Sequence, residues 1–401
     1  MKNIAFLLIC LSFIMQSCDE RSIMRKRALS MFADFDLDAV NANITQMDVI
    51  NQSEVINIPK ITNDDLEINY HQLFDTAFIV QLETSDSCLI GSISKMSLFN
   101  DTVYVLDKKQ SLFMFAPNGK FIREIGNRGQ GPGEYAEPMD YFVDDNIYIL
   151  DNIQKKISVY NKNGVWISDK IVPFMSFQIG KLNSNTFVFR AFNNYNLHIP
   201  KLDNYCLWTT DTNFCIQKIG IKYMYDANSF TFDDNGMRFD NDCISVYEKF
   251  SDSLYLITNN ANLKCRYVLQ FNDNRYLNEI KNSDDAHRIF NTQTDYLQIM
   301  NCIFNENYVL MQLVKGHNIF KWLFYSSYTK QTVLFDAISF PKVCSFAPIL
   351  RSSCLYNGYL VTCEDADFIS KCTNISQYVG GDFNNIKEDD NPILFFYKLK
   401  K

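Results

Sequence analysis

Few side chains in this 401-residue sequence have the types and spacings that perform catalysis. Its four histidines are His71, His198, His287 and His317; none has a metal-ligand spacing, and no C-x-x-C or G-x-S-x-G occurs. Asp34 to Asp38, "DFDLD", alternates acids as a calcium loop does, but lacks that loop's central Gly and closing Glu. His198 and His317 could act together with acids only if the fold brought distant segments to one point. That arrangement would suit a metal-dependent enzyme, and it is the alternative reading. Histidines do not recur at equivalent positions, so no catalytic residue, metal site or cofactor is assigned. Non-catalytic binding is the first reading.

The densest unusual stretch is "GNRGQGPGEY", Gly126 to Tyr135, with four of the fourteen glycines. A dinucleotide loop needs G-x-G-x-x-G opening a helix, and a Walker loop needs a closing G-K-[ST]. Here Gly131 is followed by Pro132, Gly133 and Glu134, and then by a strand pattern. The stretch therefore reads as a connector, in which glycine supplies left-handed backbone and proline fixes direction. If it rims a pocket, Arg128, Gln130, Glu134, Tyr135 and Asp140 are its candidate ligand-binding residues. Arg grips a carboxylate or sulfate with two donors, and Tyr stacks on a sugar ring while hydrogen-bonding. The bland alternative pairs Arg128 with Glu134 and packs Tyr135 between sheets.

The elements that must position these residues are β-strands. "TVYVLD" (102–107), "NIYILD" (146–151) and "SLYLIT" (253–258) are near copies rich in β-formers. Asp107 and Asp151 stand 44 residues apart, and Asn118-Gly119 and Asn163-Gly164 stand 45 apart. Asn-Gly between apolar runs is a strong hairpin signal, because both central residues of a type I′ turn need positive φ. A four-strand unit of this period signals a β-propeller blade. Further hairpins are expected at "YCLWTTDTNFCIQKIGI", "CRYVLQFNDNRYL" and "IFKWLFYSSYTKQTVLFDAI". Pairing "TAFIVQLET" (76–84) with the terminal "PILFFYKLK" would close the ring and remove exposed edges. The expectation is all-β: a six-bladed β-propeller over residues 53–401, with four-stranded blades and N- and C-terminal strands paired. One inserted helix is expected in 274–293, with Tyr276, Leu277, Ile280 and Ile289 on one stripe.

Composition bounds the rest. Hydrophobic residues make up 47%, with 33 Phe and 22 Tyr, enough for a large core filled by aromatics between blades. The net charge of −8 lacks the basic footprint that nucleic-acid binding requires. At the N-terminus, Lys2 and the apolar run Ile4–Met15 read as a secretory signal, too short to span a bilayer. Residues 18–52 are polar and mixed in charge, and read as a tether with a possible short helix. Of the twelve cysteines, ten would remain without Cys10 and Cys18. Cys206/Cys215, Cys354/Cys363 and Cys363/Cys372 are spaced as partners across a hairpin could be, but most read as buried thiols and connectivity stays open.

The segment Ser17-Cys18 resembles a lipoprotein lipobox, with Met15 where Leu is usual. The resemblance implies cleavage after residue 17 and a lipid anchor on Cys18. The unit Ile125–Gly164 resembles an NHL repeat through Gly126, Gly129, Gly133, Tyr135, Pro138, Asp151, Lys156 and Gly164, and that resemblance is what gives the alternative reading its class, an axial-site metal-dependent hydrolase or lyase acting on sugars or lactones. "GxGPGEY", the preceding "NGKFIREIG" and the terminal "NPILFFYKLK" are similar to a family of six-bladed propeller lipoproteins of Bacteroidetes, most without assigned activity. That resemblance implies an exported protein anchored in the outer membrane of a Gram-negative bacterium, on its periplasmic or surface face. Its partner would be an envelope protein, glycan or peptide.

Overall fold

The structure is a computed structural model describing residues 21–401, apart from 42, 65, 192–195, 223–235, 241–242, 249, 282, 317, 341–342, 349, 373 and 385. Four strands precede the repeats: β1 (Thr45–Gln46), β2 (Val49–Ile58), β3 (Glu67–Asn69) and β4 (Phe74–Gln81). Blade 1 then runs through Ile93–Phe99, Thr102–Asp107, Leu112–Phe115 and Phe121–Glu124, each antiparallel to the next. Blade 2 repeats this over Pro138–Val143, Asn146–Asp151, Lys156–Asn161 and Trp166–Ile171. The second strands of both blades are buried at five of six positions, because neighbouring blades cover both faces. Outermost Trp166–Ile171 is largely solvent-facing.

The ring holds seven blades, not the six expected from sequence. Blades 3 (Gln178–Lys222) and 4 (Met237–Phe271) each carry five strands, and blade 5 (Leu297–Phe335) four. Blade 6 has only three: Ala337–Phe340, Cys344–Phe346 and β3. Its Ile338 and Phe340 share one core with Phe324 of blade 5 and Phe395 of blade 7. This unit leaves no 40- to 50-residue period, since its strands are short and one is borrowed from the N-terminal segment. Blade 7 joins Cys354–Tyr356, Tyr359–Glu364 and Ile393–Leu399 to β4, with Ile393 opposite Gln81 and Leu399 opposite Phe74. Both ends of the repeat region thus lie in one sheet, which closes the ring, with β4 as the outer strand.

The described part of the segment expected as a tether (18–52) packs along the ring. Residues 21–31 form helix α1, and Phe32, fully buried, stacks on the His198 ring at 4.1 Å. After helix α2 (Leu37–Asn41), β1 pairs in parallel with the outer strand of blade 3 and β2 with that of blade 4. Only Ile56 and Ile58 of β2 are buried, in the core between blades 4 and 5, and Glu54 accepts from Arg266, Tyr325 and Lys330. The sequence boundary at 53 falls inside this strand. The hairpin expected in "CRYVLQFNDNRYL" is instead one long strand, Leu263–Phe271. The inserted helix, α3 (Ser283–Thr292), starts later than its expected stripe: Leu277–Glu279 form a separate 3-10 turn, and Ile280 after it is extended (φ −88°, ψ 106°). Ile280, Ile289, Tyr276 and Leu277 still meet in one cluster. An unexpected helix, α4 (Ala366–Lys371), follows the second strand of blade 7.

Candidate functional site: the axial cavity

First strands of the four- and five-stranded blades surround a cavity of about 510 Å³, within the range of small-ligand sites. Blade 6 contributes no lining residue. Much of the wall comes from strand ends that lead into the turn to the second strand: Met96–Phe99, Tyr141–Asp145, Lys181–Ser184 and Arg238–Asp240.

Polar side chains at this wall stitch blade to blade. Lys95 of blade 1 donates from Nζ to Asp140 Oδ1 and to the Tyr141 carbonyl of blade 2, both at 2.7 Å. Asp140 Oδ2 accepts from the Ile179 amide of blade 3 at 2.9 Å. Gln178 of blade 3 clamps Met237 of blade 4 through both its amide atoms, at 2.8 and 2.9 Å. Arg238 donates to the Ser353 and Leu350 carbonyls beside blade 7, each at 3.2 Å. Asp240 accepts from Asn305 at 2.7 Å. Burial raises the Asp140 carboxyl above its ordinary range, and the Lys95 charge opposes this without cancelling it.

Lys181 donates to Asp144 at 2.8 Å and to the Tyr148 hydroxyl at 2.9 Å. Burial would lower the Lys181 ammonium, but these two bonds outweigh it and leave it raised. The lining carries three cations, Lys95, Lys181 and Arg238, and three carboxylates, Asp144, Asp145 and Asp240. The wall is therefore close to charge-balanced. Its apolar side is the Phe142–Phe239 pair, with centroids 5.0 Å apart and planes at 56°. Gly180 makes room for that pair: a Cβ there would fall 1.9 Å from Cζ of Phe239.

Of the sequence candidates, the structure brings only Asp140 to this wall, behind Lys95. The glycine-rich connector delivers the chain to Pro138, the opposite end of its strand from Asp144 and Asp145. Arg128 is exposed and donates to Gln110 at 3.1 Å, so it does not pair with Glu134. Gln130 is also exposed. Glu134 folds back to accept from the Gly131 amide at 2.8 Å, and Tyr135 is fully buried in the core between blades 1 and 2. The connector is held from blade 2, where Lys156 pairs with Asp169 at 3.0 Å and Asp169 accepts from the Gly133 amide at 3.2 Å. Gly133 needs its positive φ (69°), and a Cβ there would meet Trp166 at 2.7 Å.

His198, named in the alternative reading, does not line the cavity; it lies against Phe32 and bonds through Nε2 to the Pro173 carbonyl. Burial lowers its pKa. His317 and Cys18 lie outside the described residues. Among the described residues no three His, Cys, Asp or Glu gather as a metal-holding group. No described helix is long and apolar enough to cross a membrane. Sequence reasoning passed over Lys95, Lys181, Phe142 and Phe239. Their only signal is position on or beside a blade's first strand, which becomes readable once the blades are correctly phased.

A seven-bladed all-β ring with a ligand-sized axial cavity defines a β-propeller. The chain belongs to the family described as Domain of unknown function (DUF4934), whose profile matches residues 53–398. Among solved structures it is similar to a protein of Bacteroides fragilis described as exported, at 19% identity and a TM-score of 0.68. That match covers 87% of this chain and all of the other. A duf4221 family member from Bacteroides vulgatus is also similar, at 12% identity and a TM-score of 0.48, covering 82% of this chain and 97% of that one. No curated protein matches the sequence.

Proposed function

We propose that this protein is a non-catalytic binding module of a Gram-negative envelope, lipid-anchored through Cys18, whose axial cavity takes a neutral glycan. The observation that carries the ligand class is the charge-balanced wall beside an aromatic face. Each lysine at the wall already holds a carboxylate, so an anionic ligand seeking either lysine would have to displace an existing pair. A neutral polyol instead offers donors and acceptors to pairs that stay intact, and its C–H face packs on Phe142 and Phe239. The NHL-like character of the Ile125–Gly164 unit belongs to the same reading, with its glycine connector serving as structure.

A glycan array followed by titration calorimetry tests the ligand. Neutral oligosaccharides should bind, and Phe239→Ala should weaken them at least tenfold. Binding restricted to charged ligands, or unaffected by Phe239→Ala, would overturn this assignment. Globomycin treatment or Cys18→Ala tests the anchor: the mature mass and membrane fractionation should both change, and no change would refute lipidation.

A further inference from the structure

Helix α1 carries four cations, Arg21, Arg25, Lys26 and Arg27, and no acid, on a chain whose net charge is −8. Every residue of it except half-buried Ala28 is exposed. Ala28 and the buried Phe32, four residues apart, face the ring, and Arg21 pairs with Asp203. Turned away from them, Ile23, Met24, Arg27 and Met31 follow the spacing of one helical stripe. Its apolar members are 41–49% exposed. The helix is seated at one end of the ring. Lys155, whose Nζ donates to the Met31 carbonyl at 2.7 Å, lies in the turn between the second and third strands of blade 2. His198 and Asp203 lie in the same connection of blade 3. In an antiparallel blade that end is opposite the first-to-second turns, into which the cavity wall leads.

We propose that α1 seats the ring on a bilayer surface bearing anionic phospholipid, with the axial cavity turned away from the lipid. One support rests on the anchored reading: Arg21 is three residues from Cys18, so a lipid on Cys18 holds the first turn of α1 within about 10 Å of the bilayer. Charge complementarity is the other. The guanidinium and ammonium groups meet the phosphate layer, while Ile23 and Met24 enter the boundary between headgroups and acyl chains. Asp19 and Glu20 leave residues 19–31 still net positive. Asp34, Asp36 and Asp38 are exposed beyond the far end of the helix, and an anionic surface repels them. Contact is therefore strongest at the first two turns of α1, and the chain rises from the surface towards β1.

Methionine methyl NMR of the native protein, with acyl chains verified by mass and held in nanodiscs that contain a nitroxide-headgroup lipid, tests this. In discs of phosphatidylcholine and phosphatidylglycerol, Met24 should be broadened most, Met31 less, and the cavity residues Met96 and Met237 not at all. The Arg25→Gln/Lys26→Gln/Arg27→Gln variant, or discs of phosphatidylcholine alone, should reduce the Met24 broadening severalfold. Equal broadening under all these conditions would assign the proximity to the lipid tether alone and overturn the docking. Broadening at Met96 or Met237 would overturn the orientation. Protein whose mass shows no acyl chain would refute the anchor; the docking then stands if anionic discs added to that protein still broaden Met24, and falls if they do not.

Discussion

Replacing Glu364 with glutamine should remove a large part of the protein's sensitivity to rising pH. Glu364 ends the second strand of blade 7, is 6% exposed, and leaves Oε1 without a hydrogen-bond partner. Burial, reinforced by the neighbouring Asp365 charge, raises its pKa from 4.5 to about 8. A carboxyl raised on folding favours the native state while protonated, so its contribution is complete below about pH 4.5 and is lost as pH climbs through 8. The span of about 3.5 units at ~1.4 kcal/mol each amounts to roughly 4–5 kcal/mol, lost between pH 4.5 and 8 and beyond. With an unfolding entropy of about 2 cal/mol/K per residue over this length, that corresponds to about 5–6 °C in Tm. Tm measured from pH 5 to 8.5 for the wild type and Glu364→Gln should diverge, the variant holding its stability as the wild type falls. Parallel profiles would show that the Glu364 carboxyl titrates normally and refute the reasoning.

Further perturbations probe other parts of the structure. Gly180→Ala forces the Phe239 ring from its place; it should weaken glycan binding at least tenfold in calorimetry and cost about 1–3 kcal/mol through overpacking. Ile56→Ala should cost about 2–4 kcal/mol in urea unfolding, because β2 is part of blade 4 and Ile56 is buried in the core it shares with blade 5. Asp169→Ala leaves the buried Lys156 ammonium uncompensated and should cost about 3–5 kcal/mol. The Lys156→Met/Asp169→Leu double variant should recover most of that loss.

The sequence made the strands legible where local chemistry decides structure. Thr102–Asp107 and Asn146–Asp151 are β-rich copies, Asn118-Gly119 and Asn163-Gly164 turn between apolar runs, and the terminal strand closes on β4. What stayed hidden depends on non-local pairing. Polar residues 45–52 look like a linker because β1 and the start of β2 lie exposed on outer rims. Blade 6 escaped the count because β3 reaches it from 270 residues away along the chain, Glu67 opposite Ala337. The candidate site went to the conspicuous glycines, whereas the cavity is built from single residues of ordinary type. Lys95, Lys181 and Phe239 share no motif, and only the closed ring brings them together.

The central claim is that the axial cavity is the binding site, and methionine methyl NMR tests it most directly. Among the described methionines, Met96 and Met237 line the cavity. Titrating a bound neutral oligosaccharide into methyl-labelled protein should shift these two resonances and leave those of Met31 and Met175 in place. Shifts at Met31 or Met175, with Met96 and Met237 unmoved, would contradict the account.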